Sequence, residues 1–125
     1  MVRRVYEAWE RRDMDAVFSF IGDDFEFDIS RHPIPDFPNV GRGVEHLRRF
    51  FETYLSGFSE YRVEVINVIE AEDKVVAALH DTASLGTAVV ERDFAHVWTF
   101  RDGVPVRLQA FTTTEEALGA AGLSE

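Results

Sequence analysis

The chain of 125 residues is 46% hydrophobic and 29% charged, a size and composition typical of one globular domain over residues 1–125. Its net charge of −10 disfavours binding to nucleic acid and to anionic membrane surfaces, which attract clustered Lys and Arg. The absence of cysteine excludes disulfides and thiolate chemistry, and the lack of a long apolar segment favours a cytoplasmic protein.

The first part of the chain predicts three helices and one strand. One face of the first helix carries apolar residues at helical spacing: Val2, Val5, Tyr6 and Trp9. Asp13 is a suitable N-cap for a second helix, which ends near Gly22. Residues 25–29 alternate and predict a short strand. The proline-containing segment 30–43 fits neither a helix nor a central strand, and a third helix begins near Gly43.

The remaining sequence predicts four strands and a short final helix. A change of phase at Val65 and Ile66 indicates a β-bulge in the first of these strands. Turns are predicted at residues 86–87 and 102–103, and residues 113–116 have capping-box spacing. The predicted order is α-α-β-α-β-β-β-β-α, an antiparallel meander with the helices on one face.

The last predicted hairpin assigns residues to the two faces of the sheet. If Arg101 pairs with Val104, one face carries Phe94, His96, Trp98 and Phe111, and the opposite face carries Ala95, Val97, Leu108 and Ala110. The small residues of the second face leave room for a pocket beneath the helices. The aromatic face is then expected to be covered by a second subunit, in a two-fold dimer.

Several stretches resemble a known fold family. Residues 6–16 resemble the opening of nuclear transport factor 2-like proteins, and residues 94–103 resemble the penultimate strand and turn of SnoaL-like domains; the ending 115–118 is also similar. The resemblance implies an α+β fold in which a cone-shaped, curved antiparallel sheet is wrapped by three helices, usually as a dimer. Members include polyketide cyclases, ketosteroid isomerases, epoxide hydrolases, dehydratases and binding domains, so the resemblance indicates the fold and not the activity.

Two chemistries of the family lack their residues in this chain. Aligned without gaps from the helix break, the tyrosine of ketosteroid isomerases falls at Val5, the base at Ile29 and the second aspartate at Ala95. A shift of one residue would recover Tyr6 and the first aspartate, but not the second. The last-strand aspartate of limonene epoxide hydrolase-like enzymes falls near Ala110. Both mechanisms are therefore disfavoured.

His80 and Asp28 are the candidate catalytic residues. By alternation His80 shares a face with Ala78 and Thr82, and the resemblance implies that this face lines the cavity. A neutral imidazole there would act as general base or orient a carbonyl; the alternative is a core histidine satisfied by a neighbour. Asp28 is either a base at the pocket mouth or a solvated strand residue.

Trp9 and Tyr54 lie on helix faces that are predicted to point inward, where they either contact a ligand or form plain core. His32 either reaches over the pocket from its loop or lies on the surface. The histidines have no metal-ligand spacing, so neither a metal nor another cofactor is expected. The residues expected to contact a ligand are Trp9, Tyr54, Ala78, Thr82, Ala95, Val97, Leu108 and Ala110.

Taken together, these features predict a domain that binds a small apolar ligand. One hypothesis is a cyclase or isomerase acting on a small hydrophobic carbonyl compound. The second is a non-catalytic module that binds a small molecule or a partner protein, and the third is a dimer with a filled core.

Overall fold

A computed structural model describes residues 2–21, 24–33 and 37–123. These residues form four helices and six strands, in the order α1 (Val2–Glu10), α2 (Met14–Phe18), β1 (Glu26–Arg31), β2 (Val40–Arg42), α3 (Gly43–Leu55), β3 (Glu60–Ala71), β4 (Lys74–Leu85), β5 (Ala88–Arg101), β6 (Val104–Phe111) and α4 (Thr114–Ala120). The predicted order is confirmed, with β2 added as a short strand inside the proline-containing segment. No helix among them is long and apolar enough to cross a membrane.

Local signals set the starts of the short helices as predicted. The second helix ends at Phe18, and Gly22, near which its end was expected, lies outside the described residues. The Asp13 carboxylate accepts a hydrogen bond from the Ala16 N–H at 3.3 Å and caps α2. Arg12, with φ of 60°, turns the chain between α1 and α2. The Thr113 hydroxyl accepts from the Glu116 N–H at 3.1 Å and caps α4.

The six strands form one sheet in the order β2-β1-β6-β5-β4-β3. The predicted antiparallel meander of β3 to β6 is confirmed. β1 adds to its edge in parallel with β6, so the sheet is mixed and not wholly antiparallel. The predicted bulge is also confirmed: Val65 pairs with Leu79 and Asn67 with Ala78, which leaves Ile66 as the extra residue.

Helices cover both faces of the sheet. α1, α2 and α3 pack on one face, called here the inner face, against side chains such as Phe94 and Trp98. α4 packs on the opposite, outer face, where Ala117 contacts a cluster that includes Ala95 and Val97. The expectation that all helices lie on one face was therefore wrong for α4. Small side chains on the outer face let this short helix approach the sheet closely.

The last hairpin departs from the expected register. Its turn residues Asp102 and Gly103 both have positive φ, 54° and 81°, as the predicted turn requires. After two regular pairs the register shifts by one residue, and Thr99 pairs with Arg107. Pro105 lies beside this shift. Because proline has no N–H to donate to a strand ladder, it favours a local irregularity there.

The shift changes which residues share a face. His96 pairs with Ala110 and Trp98 pairs with Leu108. All four therefore lie on the inner face, whereas the regular register would have separated them. The expectation that Leu108 and Ala110 share a face with Ala95 and Val97 was wrong.

The expected dimer face is not available to a partner. Phe94, His96 and Trp98 are covered by helices of the same chain, and Phe111 packs on the outer face. Each of the four exposes at most 5% of its surface. A dimer through these residues is therefore contradicted. Large aromatic side chains fill the wide space beneath three helices, which small residues would leave open.

Candidate functional site

A cavity of about 280 Å³ lies on the inner face between α3, β1 and β5. Most of its wall is apolar: Trp9, Phe27, Ile29, Pro33, Phe50, Phe58, Phe94 and Ala110. The polar groups belong to His32, Thr53, Tyr54, Arg92 and His96. No described residue of the lining is Asp or Glu. Apolar walls with a few converging polar groups are typical of small-molecule sites.

His96 is held at the cavity wall by residues of two elements. Alternation along β5 puts His96 and Trp98 on the inner face, and helical spacing along α1 puts Tyr6 opposite them. The Tyr6 hydroxyl lies 2.6 Å from Nδ1 of His96. The indole Nε1–H of Trp98 donates to the same hydroxyl at 2.8 Å. All three residues are buried.

These hydrogen bonds fix the protonation of His96. The indole N–H of Trp98 is only a donor, so the Tyr6 oxygen accepts from it. Nδ1 of His96 is the one described acceptor within reach of the Tyr6 hydrogen, so this buried hydroxyl is satisfied as a donor when Nδ1 is unprotonated. The proton of the neutral ring therefore lies on Nε2, which makes no hydrogen bond to any described residue. His96 thus offers the cavity an N–H donor.

Burial keeps this imidazole neutral. It lowers the pKa of His96 to about 3, and the nearby His32 lowers it further. Burial also raises the pKa of the Tyr6 hydroxyl, so the partner of His96 stays protonated. At neutral pH the network carries no charge.

A second polar cluster surrounds Asp81 on β4. Its carboxylate is 1% exposed and accepts from the hydroxyls of Tyr54 and Tyr61 at 2.9 and 2.8 Å. Arg92, directly across on β5, donates Nε–H to Oδ1 at 3.2 Å and Nη2–H to Oδ2 at 2.8 Å. Its Nη2 also donates to the Tyr54 hydroxyl. Four donors therefore hold the carboxylate, which itself does not line the cavity.

The cluster positions Arg92 and Tyr54, which do line the cavity. Burial raises the pKa of the Asp81 carboxyl, and the hydrogen bond from Tyr61 opposes that rise. Burial lowers the pKa of the Arg92 guanidinium, yet a guanidinium stays protonated in proteins. The charges of Asp81 and Arg92 cancel, so the cluster presents hydrogen-bond donors to the cavity without a net charge.

His32 reaches the cavity from the segment after β1. Its ring packs edge-on against Phe94, with the ring centroids 5.9 Å apart. Burial and the charge of Arg92 lower the pKa of His32. A neutral imidazole at a cavity wall is chemically able to accept a proton. Of the two alternatives for His32, the structure places it over the pocket.

The structure places His80 away from this cavity. It lies on the outer face, where its Nδ1 and Nε2 are 2.7 and 3.0 Å from carboxylates of Asp93 and Glu91. The expectation that its face of β4 lines the cavity was wrong. The helices cover the other face, which carries Asp81. A wide groove of about 750 Å³ reaches His80 and Thr82, but its lining is mainly charged.

Asp28 also points away from the cavity. Its neighbours Phe27 and Ile29 face inward, and alternation turns Asp28 outward. Its carboxylate accepts from the backbone N–H of Ser30 at 2.9 Å and lies 3.3 Å from Nη2 of Arg107. Asp28 is thus occupied by local contacts on the outer face of the sheet.

The residues expected to contact a ligand are divided between the faces. Trp9, Tyr54 and Ala110 line the cavity. Leu108 lies in the inner core without reaching it. The others lie on the outer face and do not line it: Ala78, Thr82, Ala95 and Val97.

The sequence contains a signal for Arg92 and Asp81 that our expectations did not use. A turn at residues 86–87 pairs Leu85 with Ala88, and the same register brings Asp81 opposite Arg92. Opposite charges facing each other in an otherwise apolar sheet indicate a buried pair. His96 was grouped correctly with Phe94 and Trp98, but the opposite face was expected beneath the helices because its small residues leave room for a pocket.

The described residues contain no group of three or more His, Cys, Asp or Glu side chains with the geometry to hold a metal ion. Two imidazoles, those of His32 and His96, line the cavity, whereas a zinc site typically has three or four protein ligands.

Comparison with protein families gives one assignment. The profile of the SnoaL-like domain matches residues 2–108. A search of curated proteins finds no match.

Solved structures of similar shape share little sequence with this chain. TerC, co-crystallised with polyporic acid, is 21% identical and has a TM-score of 0.79, over 98% of this chain and 93% of TerC. An NTF2-like protein of unknown function from Burkholderia pseudomallei is 22% identical, with a TM-score of 0.76 over 94% and 92%. A proposed polyketide cyclase from Sinorhizobium meliloti is 19% identical, with a TM-score of 0.68 over 87% and 91%. At these identities the likeness establishes the fold alone.

Proposed function

Because the chain belongs to the SnoaL-like domain family, we propose that its inner cavity binds a small apolar carbonyl compound and moves a proton on it. His96 and His32 are the proposed catalytic residues, and the reaction is of the isomerase or cyclase type. The observation that carries this proposal is the fixed tautomer of His96, whose Nε2–H is left for a ligand. The proposed polyketide cyclase among the structural neighbours is consistent with this class of chemistry.

His96 acts on the oxygen of the bound carbonyl group. Its Nε2–H donates a hydrogen bond to that oxygen, and the bond strengthens as negative charge develops on an enolate. The pKa of His96, about 3, keeps the ring a neutral donor throughout. A donor already held by Tyr6 and Trp98 needs no reorganisation when the charge appears.

His32 acts on the carbon next to the carbonyl group. Its neutral ring nitrogen takes a proton from that carbon, the C–H electron pair forms a C=C bond, and the carbonyl π electrons move to the oxygen. Where a C=C bond adjoins that carbon the enolate is a dienolate, and return of the proton to the far end of the dienolate gives the conjugated isomer. Attack of the enolate carbon on a second carbonyl of the same molecule closes a ring instead, and the proton goes to the new alkoxide. Neither path requires an oxidant or reductant.

The surrounding aromatic side chains support this chemistry. Phe50, Phe58 and Phe94 present apolar surface to the ligand and exclude water. In such surroundings the hydrogen bond from His96 is worth more than in water. The cavity of about 280 Å³ suits a ligand of one or two rings.

Exchange of deuterium into β-tetralone tests the proposal without knowledge of the natural substrate. This bicyclic ketone has acidic hydrogens beside its carbonyl group, and NMR in D2O follows their replacement. We expect the protein to accelerate exchange above the buffer rate. His32→Gln and His96→Gln should each lower the acceleration at least tenfold, within the range typical of general acid–base groups.

His80→Gln is the matched control, because His80 lies on the outer face. It should leave exchange unchanged. Equal exchange rates for the wild type, His32→Gln and His96→Gln, in variants shown by circular dichroism to be folded, would reject the proposed roles.

Binding without turnover is the second candidate function. One observation favours it: no described residue that lines the cavity carries a carboxylate, the base commonly used in this fold by ketosteroid isomerases. Under this alternative, the wild type binds β-tetralone and His96→Gln binds it more weakly. Neither protein exchanges deuterium into the ketone faster than the buffer does.

A further inference from the structure

The Asp81 cluster leaves part of Arg92 unused. The Nε–H and one Nη2–H of Arg92 go to Asp81, and the other Nη2–H goes to the Tyr54 hydroxyl. A guanidinium has five N–H donors, so two remain, both on Nη1. Nη1 makes no hydrogen bond to a described residue, and Arg92 lines the cavity. Two N–H groups of a fixed guanidinium thus remain free of described partners, on a side chain that lines the cavity and is 34% exposed.

Arg92 and His96 lie at opposite ends of the same wall. Both are on the inner face of β5, with Phe94 between them. Residues four apart on a strand have Cα atoms about 13 Å apart. A ligand that lies flat along Phe94 therefore meets one donor at each end. A ligand with one acceptor oxygen would use only His96.

The charge at the Arg92 end is balanced before any ligand binds. Asp81 neutralises the guanidinium at 2.8 Å, and burial and Arg92 lower the pKa of His32. A bound carboxylate would add an uncompensated negative charge in a partly buried place, which is costly. A neutral acceptor oxygen satisfies the Nη1 donors without that cost.

We infer that Arg92 forms a second oxygen site in the cavity, so the ligand is an elongated, neutral, apolar compound with a carbonyl oxygen at each end. The inference rests on the proposed function, because it takes His96 as the site of the first oxygen. Asp81 and Tyr54 act as positioning residues, since they hold Arg92 and do not themselves receive the ligand.

A pair of ligands of nearly equal shape tests the second site. para-Diacetylbenzene has two carbonyl oxygens, and para-isopropylacetophenone replaces one acetyl group by an isopropyl group of similar size. Calorimetric titration of the wild-type protein should give about tenfold tighter binding of the diketone, as expected for a hydrogen bond to a charged donor. Equal affinities would overturn the inference.

Variants then locate the preference. The double substitution Asp81→Asn with Arg92→Met removes both charges together, so neither is left buried and unpaired. In this variant the diketone and para-isopropylacetophenone should bind with affinities within about twofold of each other, because the second donor is gone. Arg107→Met, whose side chain lies on the outer face beside Asp28, is the control and should keep the preference. Retention of the preference in the double variant would also overturn the inference.

Two further measurements separate the possible failures. His96→Gln should weaken both ketones equally; if it weakens neither, the proposed function fails, whatever the ligand preference. para-Acetylbenzoate should bind less tightly than the diketone at pH 7.5. Tighter binding of this anion would show that the Arg92 site selects negative charge and would overturn the neutral ligand inferred here.

Discussion

At the scale of single residues, two histidines of this protein respond to their surroundings in opposite ways. Burial lowers the pKa of His96 to about 3, whereas hydrogen bonds to Asp93 and Glu91 raise the pKa of the half-buried His80. In the unfolded chain both have pKa values of about 6.5. The two should therefore contribute opposite slopes to the dependence of stability on pH.

We expect His96 to destabilise the fold as the pH falls. Below pH 6.5 the unfolded chain binds a proton at this position and the folded chain does not, so stability is lost from about pH 6.5 downward. Between pH 6.5 and pH 5 the loss should be about 1–2 kcal/mol. Urea unfolding of His96→Gln over this interval should show a flatter dependence than the wild type.

His80→Gln is the comparison of opposite sign. The raised pKa of His80 adds stability that is complete below about pH 6.5 and is lost as the pH rises through the folded-state pKa. The variant should therefore lose this contribution at pH 6 and not at pH 9. Both assignments would be contradicted if stability below pH 6.5 depended less on pH in His80→Gln than in the wild type, while His96→Gln behaved like the wild type.

The hydroxyl of Tyr6 joins two buried groups and its loss should be costly. Tyr6→Phe leaves Nδ1 of His96 and the indole N–H of Trp98 without partners, and should lower the free energy of unfolding by about 1–3 kcal/mol. A cycle with Trp98→Phe checks the linkage. In that background Tyr6→Phe should cost less, because one orphaned group is gone; strictly additive costs would show no coupling.

Alternation in the sequence predicted well which side chains of a strand share a face. It did not predict which of the two faces lies beneath the helices. Trp9 and Tyr54 were expected at the cavity from helical spacing alone, and they line it. His80 shares a face with Ala78 and Thr82, as alternation requires, but that face is the outer one. Both faces of β4 carry apolar residues, so alternation contains no information on which one the helices cover.

At the scale of elements, β2 and α3 are joined by a close packing contact. Gly41 lies against the imidazole of His46, and a Cβ at Gly41 would overlap that ring. This contact ties the short edge strand to the helix that forms one wall of the cavity. Glycine is needed here for the close approach and not for its conformational freedom.

Gly41→Ala should therefore destabilise the fold by about 1–3 kcal/mol in urea unfolding, the usual cost of overpacking. Gly57→Ala is the matched control, since no heavy atom lies within 4 Å of a Cβ there, and it should change stability by less than about 0.5 kcal/mol. In a His46→Ala background the cost of Gly41→Ala should shrink. An undiminished cost in that background would rule out the overlap as the cause.

Turns and caps were predictable because their chemistry is local. Asp13, Thr113 and the Asp102–Gly103 turn act through neighbouring backbone groups, and each is found as expected. The register shift in β6 was not predictable by counting from the turn, although Pro105 marks its position. The parallel partner of β1 was also missed, since pairing of distant segments leaves no periodic signal in the sequence.

At the scale of the whole molecule, the net charge of −10 opposes compaction. Salt screens repulsion between exposed carboxylates over a distance of about 10 Å at 0.1 M. We expect the melting temperature to rise by about 2–5 °C between 10 and 200 mM NaCl. Exposed ion pairs such as Arg31–Glu116 weaken over the same range, but each contributes little.

A charge-reducing variant checks the cause of this salt effect. Glu64→Gln with Glu70→Gln removes two exposed carboxylates from β3, and the rise in melting temperature with salt should be smaller than in the wild type. A melting temperature that falls with salt would mean that attractive surface pairs outweigh the overall repulsion.

The parallel pairing of β1 with β6 also sets an order of events when the chain is made. Phe27 pairs with Leu108, so β1 is synthesised well before the strand with which it pairs. Until β6 leaves the ribosome, β5 has an open edge and the cavity lacks the wall that β1 provides. Before β6 is available, the exposed aromatic segments of the nascent chain make it prone to aggregate with other chains. Truncation before β6 would thus remove far more than its own eight residues.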